Sequence, residues 1–228
     1  MISNRLKSLA KYFDKDDKVI DIGCDHALLD IYLIEEGILK NMIVSDIHEK
    51  ALQQGIDNIK LHKLEKRIET RLGNGLEVLN ENDDIDTVLI SGMGTSTIID
   101  ILDGSIFPLG PTKKLKKLVI QSNNDHDILR HEIAKEAGFE ITNEEFFIDN
   151  KKAYINIVFE KNKKFKLINY NKKDIKYGPF LKSNIDYLNY REEYVKKILD
   201  KVPKNKIIIR YILNKELKDI NRFKKNIK

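Results

Sequence analysis

Five short stretches hold most of the residues able to do chemistry. At 18–25 the sequence KVIDIGCD places Asp21, Gly23, Cys24 and Asp25 within five positions, and His26 follows. Asp46 closes the run MIVSD, 23 positions after Gly23, with Ile47 behind it. Further on stand Gly73-Asn74-Gly75, Ser91-Gly92-Met93-Gly94 and Gln121-Ser122-Asn123-Asn124. A glycine has no Cβ, so a turn built on Gly23 lets the backbone come close to a ligand. A helix opening beyond that turn offers unpaired N–H groups to the same ligand. In a doubly wound sheet, a carboxylate about 20 residues past such a turn accepts from ribose hydroxyls. Asp46 stands at that distance, so the first expectation is a ligand carrying a nucleoside.

The turn is not G-x-G-x-x-G, and its acidic Asp25 would repel a pyrophosphate, which disfavours NAD. S-adenosylmethionine carries a sulfonium, an ammonium and no phosphate, and an acidic turn suits it.

These residues need strands to carry them. Val19 and Ile20 are apolar and β-prone, Gly23 breaks the run, and Ala27, Leu28, Ile31, Leu33 and Ile34 resume it without alternation. That pattern reads as a strand, a tight turn and a buried helix. Residues 42–46 form the next strand, and 48–60 a helix turning Ala51, Leu52, Ile56 and Ile59 inward. Strands at 68–72, 86–90 and 118–120 each end in one of the polar stretches above. Helices follow the last two, one with Ile98, Ile99, Ile101 and Leu102, the other at 125–137 and stopped by Gly138. Two strand-like runs, 140–147 and 154–160, flank a turn at Asp149-Asn150-Lys151. Ahead of all this, Ser3 caps a helix reaching Phe13, with Arg5 in its first turn, where a cation opposes the helix dipole.

The order is five βα units and a terminal hairpin. It predicts an α/β fold with a mostly parallel, doubly wound sheet and an antiparallel finish. That finish belongs to Rossmann-like methyltransferases rather than to dehydrogenases. Asp25, Asp46, Asn74, Ser91, Gln121 and Asn123 then gather at strand C-termini, where such sheets bind ligands.

The 228 residues suffice for one sizeable core and an appendage. No run of about 18 apolar residues and no basic-then-apolar leader occurs, so a cytoplasmic protein is expected. One cysteine, Cys24, fits a reducing compartment, and its acidic neighbour Asp25 should raise its thiol pKa. Residues 161–228 carry 21 Lys+Arg against 7 Asp+Glu, whereas residues 1–160 have a net charge of −9. A basic tail on an acidic body is the pattern of a nucleic-acid-binding appendage, and also that of a solvated lysine-rich helix pair. The segment 161–176 reads as a basic connector without helical period, and Tyr177-Gly178-Pro179-Phe180 as a turn. Apolar residues then recur by threes and fours: Leu181, Ile185, Leu188, Val195, Ile198 and Leu199, then past Pro203, Ile208, Tyr211, Ile212, Leu217, Ile220, Phe223 and Ile227. Two helices packed as an antiparallel hairpin would bury both stripes.

DIGCDHALL, ISGMG, QSN, YGPFL and the N-terminal ISNRL together resemble the bacterial tRNA (adenine-22-N1)-methyltransferases of the TrmK type, over nearly the whole chain. The resemblance implies a class I, Rossmann-like methyltransferase domain at 1–160, a basic linker at 161–176, and a coiled-coil hairpin at 177–228 that binds tRNA. It implies S-adenosyl-L-methionine as donor and tRNA as partner; from the residues neither membrane nor metal is expected, and a monomer is the expected state. This chain departs from the family pattern in four places. Thr95 replaces a second glycine after GMG, and Ser122 the proline of QPN. Asn74 replaces the acid of GDG, and DHAYLP becomes Asp25-His26-Ala27-Leu28-Leu29-Asp30.

On this resemblance Asp21 and Gly23 frame the turn under the methionine moiety, and Asp46 and Ile47 meet the ribose, the lesser alternative for Asp46 being a cap on the next helix. Asn74 and Gly75 edge the adenine. Ser91, Gly92 and Met93 border the methyl group and the incoming base. Asp25 is the candidate to favour positive charge on that base, and His26 to orient it; both could instead be structural. Arg5, Gln121 and Asn123 are candidates for substrate contact. Metal-ligand spacing is lacking. The lead is methyl transfer to N1 of an adenosine, adenosine 22 in the D-arm region. Alternatives are another RNA as substrate, or a non-catalytic RNA-binding protein on this fold.

Overall fold

Val19–Ile22 is buried along its whole length, as a strand covered on both faces must be. This strand, β1, pairs in parallel with β2 (Met42–Asp46) on one side and β4 (Thr87–Met93) on the other. β3 (Ile68–Leu72) extends the sheet beyond β2, and β5 (Lys117–Ser122) beyond β4. The last two strands are β6 (Phe139–Asp149) and β7 (Lys152–Lys161). β7 inserts antiparallel between β5 and β6, giving the order β3-β2-β1-β4-β5-β7-β6. Asn150 and Lys151 both take positive φ at the hairpin turn, the backbone that matches strand twist. The computed structural model describes residues 2–80, 82–102, 114–161 and 169–227.

Alternation along the strands covers both faces. Ile20, Ile22, Val88, Ile90, Leu118 and Ile120 point into one apolar cluster, and Val19, Leu89 and Val119 into the other. The second cluster is sealed by α2 (Leu28–Glu35) and α3 (Glu49–Leu61) together with the N-terminal segment. α4 (Thr95–Leu102) and α5 (His126–Arg130) cover the first.

Several elements differ from the sequence reading. The N-terminal helix is only α1 (Asn4–Lys7), capped by Ser3 as expected, and a separate 3₁₀ turn spans Ala10–Tyr12. Among the described residues no α-helix lies between β3 and β4; a 3₁₀ turn at Gly75–Val78 stands where the third βα unit would have its helix. α5 continues as a π-helix over His131–Glu136 before Gly138 ends it at φ +74°. The expected connector at 161–176 includes a helix, α6 (Lys172–Tyr177), opened by Asn171 and Asp174 in a reciprocal capping box. The rest of that connector, at 162–168, lies outside the described residues.

α7 (Ile185–Lys201) and α8 (Ile207–Asn226) pair within the chain on either side of Pro203. Leu188, Val195 and Ile220 are buried between them and the body. Ile185, Ile208, Tyr211 and Ile212, placed in the buried stripe by spacing, are exposed.

Candidate cofactor and substrate site

Strand register explains how distant residues meet. Ile22 is level with Ser45 on β2 and Ile90 on β4, so Gly23, Asp46 and Ser91 leave the sheet side by side. Strand order reverses between β1 and β4, where open α/β sheets form their ligand crevice. A cavity of about 550 Å³ opens there.

Twelve residues expected at a site line it: Asp21, Gly23, Asp25, His26, Asp46, Ile47, Asn74, Gly75, Ser91, Gly92, Met93 and Arg5. Gln121 and Asn123 do not line it. Gln121 is fully buried; its Oε1 accepts from Arg5 Nη1 at 3.0 Å, and its Nε2 donates to Asn156 Oδ1 at 2.6 Å. It holds Arg5 rather than a ligand. Asn123 Nδ2 donates to the Gly92 carbonyl at 2.7 Å and fixes the turn after β4.

Gly23 sits at φ +76°, and the Met93 methyl lies 2.1 Å from where a Cβ would stand. The glycine therefore makes room for Met93 as well as for a ligand. Gly92, at φ +79°, admits the Arg5 guanidinium over its backbone in the same way. Arg5 also lies 5.8 Å from the centre of the Tyr154 ring, a neighbour that sequence reading missed.

Asp46 is nearly buried and serves two backbone groups. Its Oδ1 accepts from the His48 N–H at 2.8 Å, and its Oδ2 from the Asp25 N–H at 3.3 Å. The carboxylate fastens the backbone ahead of α3, whose N-cap is His48, and lines the cavity. Asp25 and Ala27 adopt left-handed backbone at φ 51° and 54°. That conformation turns Asp25 and His26 outward, where their side chains are 68% and 46% exposed at the cavity mouth with His26 Nε2 3.5 Å from Asp25 Oδ1.

Beneath the turn, Asp21 points to the α2 side and meets Asp30, which is fully buried. Burial drives both carboxyls up, Asp30 to about 7, and at Asp21 the charges of Asp30 and Asp46 add to the rise. Asp21 Oδ1 and both Asp30 oxygens meet no hydrogen-bond donor among the described residues, so nothing offsets the cost of burying their charged forms. Asp21 Oδ1 has no protein partner, although Asp21 lines the cavity. The pair had a sequence signal that went unused: a lone acid inside an otherwise apolar buried helix. Cys24 is buried, and its thiol is pushed far up by burial first and then by Asp30, Asp21 and Asp46, rather than by Asp25.

Thr95 and Ser122, two of the departures from the family pattern, bond to each other. Their hydroxyls lie 2.8 Å apart, and Thr95 Oγ1 also donates to the Asn124 carbonyl at 2.6 Å. They are paired replacements that close the junction between β4 and β5.

The cavity suits a cationic nucleoside. Asp21, Asp25 and Asp46 line it against one arginine. An unpartnered buried carboxyl oxygen waits under a glycine turn, which an ammonium or sulfonium would satisfy and a pyrophosphate would not. A family model described as a methyltransferase domain matches residues 2–157, and the chain belongs to that family. Within it the chain stands with the TrmK type. It is 30% identical to M. capricolum TrmK, solved with S-adenosyl-homocysteine, with a TM-score of 0.84 and all of both chains covered. A protein of the NADB-Rossmann superfamily from Streptococcus agalactiae is 32% identical, with a TM-score of 0.85 over 98% of this chain and 97% of that one. The tRNA (adenine(22)-N(1))-methyltransferase of Bacillus subtilis (strain 168) is 28% identical over 159 residues, 70% of this chain. That match spans 65% of the Bacillus protein's length.

Proposed function

We propose that this protein transfers a methyl group from S-adenosyl-L-methionine to N1 of an adenosine in tRNA, adenosine 22. What carries the reading is that the likeness to TrmK runs through the C-terminal helices as well as the cofactor domain. A likeness confined to the cofactor domain would leave the substrate open. The division of labour follows: residues 1–160 hold donor and target base, and the basic appendage at 177–228 holds the tRNA.

The bound donor supplies an electrophilic methyl on a sulfonium. Asp46 and Ile47 take the ribose, Asn74 and Gly75 the adenine edge, and Asp21 with the Gly23 turn the methionine end. Neutral adenine has an in-plane lone pair at N1, so no base is needed to create the nucleophile. The chain's task is to position the reactants and to favour the cation that forms. Asp25, acid-bearing and at the cavity mouth, stabilises that cation. His26 and Met93 border the incoming ring. Arg5, braced by Gln121, reaches the same edge and can steer a phosphate beside the extruded base.

The test is incubation with labelled S-adenosylmethionine and unmodified tRNA, followed by digestion to nucleosides. Label in 1-methyladenosine that maps to adenosine 22 is the expected result. Label in any other nucleoside refutes the adenine-N1 assignment, and no label on a bound tRNA refutes catalysis. Asp46→Ala should lose methylation by at least about 100-fold while keeping tRNA affinity. That factor equals about 2.7 kcal/mol of transition-state binding.

A further inference from the structure

The two helices of the hairpin differ in charge, although they are similar in length and packed together. α7 holds four basic and four acidic residues, whereas α8 holds six basic and two acidic. The α7 charges largely neutralise one another on its own surface: Glu192 pairs with Lys196, and Glu193 with Lys197 at 3.7 Å. Neither acid of α8 faces solvent in that way. Glu216 is 5% exposed and is spent on Arg191 at 2.7 Å and Lys176 at 2.8 Å. Asp219 is spent on Lys173 at 2.5 Å and on the Tyr177 hydroxyl at 3.4 Å.

What remains on the outer face of α8 is Lys215, Lys218, Arg222 and Lys225, all exposed and, among the described residues, without an acidic partner. Their spacing of three, four and three keeps them on one side of the helix, in a row about 15 Å long. An ordinary solvated helix face mixes both signs, as α7 does.

The row runs into the larger of two opposite cavities. A groove of about 830 Å³ lies between α8 and the start of α6, with Lys172, Lys173, Lys182 and Arg222 in its walls and, among the described residues, no carboxylate lining it. Lys173 and Lys182 are held by Asp219 and Asp174, whereas Lys172 and Arg222 have no acidic partner among the described residues. The cofactor cavity is acidic and this groove is basic, so the groove repels the ligand the first cavity attracts.

We propose that the outer face of α8, from Lys215 to Lys225, with the groove it forms against Lys172, is a phosphodiester track for RNA, and that α7 takes no part in it. The inference rests on the tRNA substrate proposed above and says which surface of the appendage engages it. Unpaired cations release condensed counterions on meeting phosphates, while the self-neutralised α7 face gains little.

The experiment measures the affinity of full-length protein for an unmodified tRNA transcript over a series of salt concentrations. It compares wild type, the set K215A/K218A/R222A/K225A, and the α7 control set K196A/K197A/K201A. The log–log salt slope should fall by about three in the α8 set, since each phosphate contact contributes about 0.7–0.9. Affinity at low salt should fall at least 10-fold, with S-adenosylmethionine affinity unchanged and the control within 2-fold of wild type. An unchanged slope in the α8 set, or an equal loss in the control, overturns the proposal and leaves the track to a protein partner or to solvent. If the α8 set lost helicity by circular dichroism, K218E alone decides, and an undiminished slope in it is equally fatal. Failure of the wild type to bind or methylate tRNA would sink the substrate reading. A methylating wild type with an unaltered α8 set would sink the track alone.

Discussion

Asp21 and Asp30 place two carboxyl groups in an apolar layer directly under the cofactor turn. Each ionises near 3.9 in an unfolded chain. In the folded chain burial raises both, Asp30 to about 7 and Asp21 well above its ordinary value. Between about pH 4 and pH 7 the native state therefore holds more protons than the unfolded state. Their contribution is fully present below pH 4 and is lost as pH rises through the folded values. Asp30→Asn should flatten that part of the profile. Thermal unfolding at pH 4 should match wild type, and at pH 8 the variant should melt several degrees higher. Parallel wild-type and variant curves from pH 4 to 8 would refute the rise at Asp30. Motif residues were legible because spacing and type name them: Asp21, Gly23, Asp46 and Ser91-Gly92-Met93 all line the cavity. The contact of Gln121 with Arg5 was not legible, because strand-end position does not say which side chain a residue meets. Thr95 and Ser122 looked like losses when taken singly, and only their 2.8 Å contact identifies them as a pair.

At the scale of elements, the least legible feature is the joint between body and appendage. Tyr177-Gly178-Pro179-Phe180 reads as a surface turn, yet it wraps a buried ion pair. Arg130 at the end of α5 donates through Nε to Glu144 of β6 at 2.6 Å, with both side chains at most 1% exposed. Arg130 Nη1 also donates to the Ile175 carbonyl at 3.1 Å, and the Phe180 N–H to Glu144 Oε2 at 3.1 Å. Gly178 sits at φ +87°, where a Cβ would stand 2.4 Å from the Glu144 carboxylate. The partners lie 14 to 45 residues apart, beyond any local pattern. Removing one member of a buried pair leaves the other charged and unpaired, at a cost of about 3–5 kcal/mol. Glu144→Ala should therefore lower the melting temperature by at least about 6 °C, at about 2–4 °C per kcal/mol for a chain of this size. Gly178→Ala should destabilise as well, through left-handed backbone and the clash together. Unchanged melting in both variants would show that the joint contributes nothing to stability. Strand existence and order were readable from apolar runs and breakers, down to the bounds of β2 and β3. The third crossover helix and the continuity of α5 were not, because single 3₁₀ and π turns are too short to show a period of their own in the sequence.

For the whole molecule, a charge boundary near residue 160 suggests a body and a detachable tail, but the packing joins them. Tyr187, Leu188 and Val195 of α7 and Ile220 of α8 belong to the same apolar cluster as Ile20, Val88 and Ile120 at the centre of the sheet. Phe146 of β6 packs edge-on against Tyr187, with ring centres 5.5 Å apart. Charge is a property of the surface and burial of the interior, so the two can divide a chain at different places. A cut after residue 176 would strip this cluster of one wall. The expected result is a truncated protein that melts well below the full chain, so a loss of tRNA binding in it would not by itself locate the RNA surface. The full chain should unfold in one transition. Native-state hydrogen exchange should protect the amides of Leu188 and Val195 to the same free energy as those of Val88 and Leu89 in β4. Exchange at α7 that is faster by several kcal/mol, with β4 unaffected, would mean that the hairpin opens on its own. The tRNA arm would then be hinged, and the angle at which it presents the substrate to Asp25 and Arg5 would be set on binding rather than built into the fold.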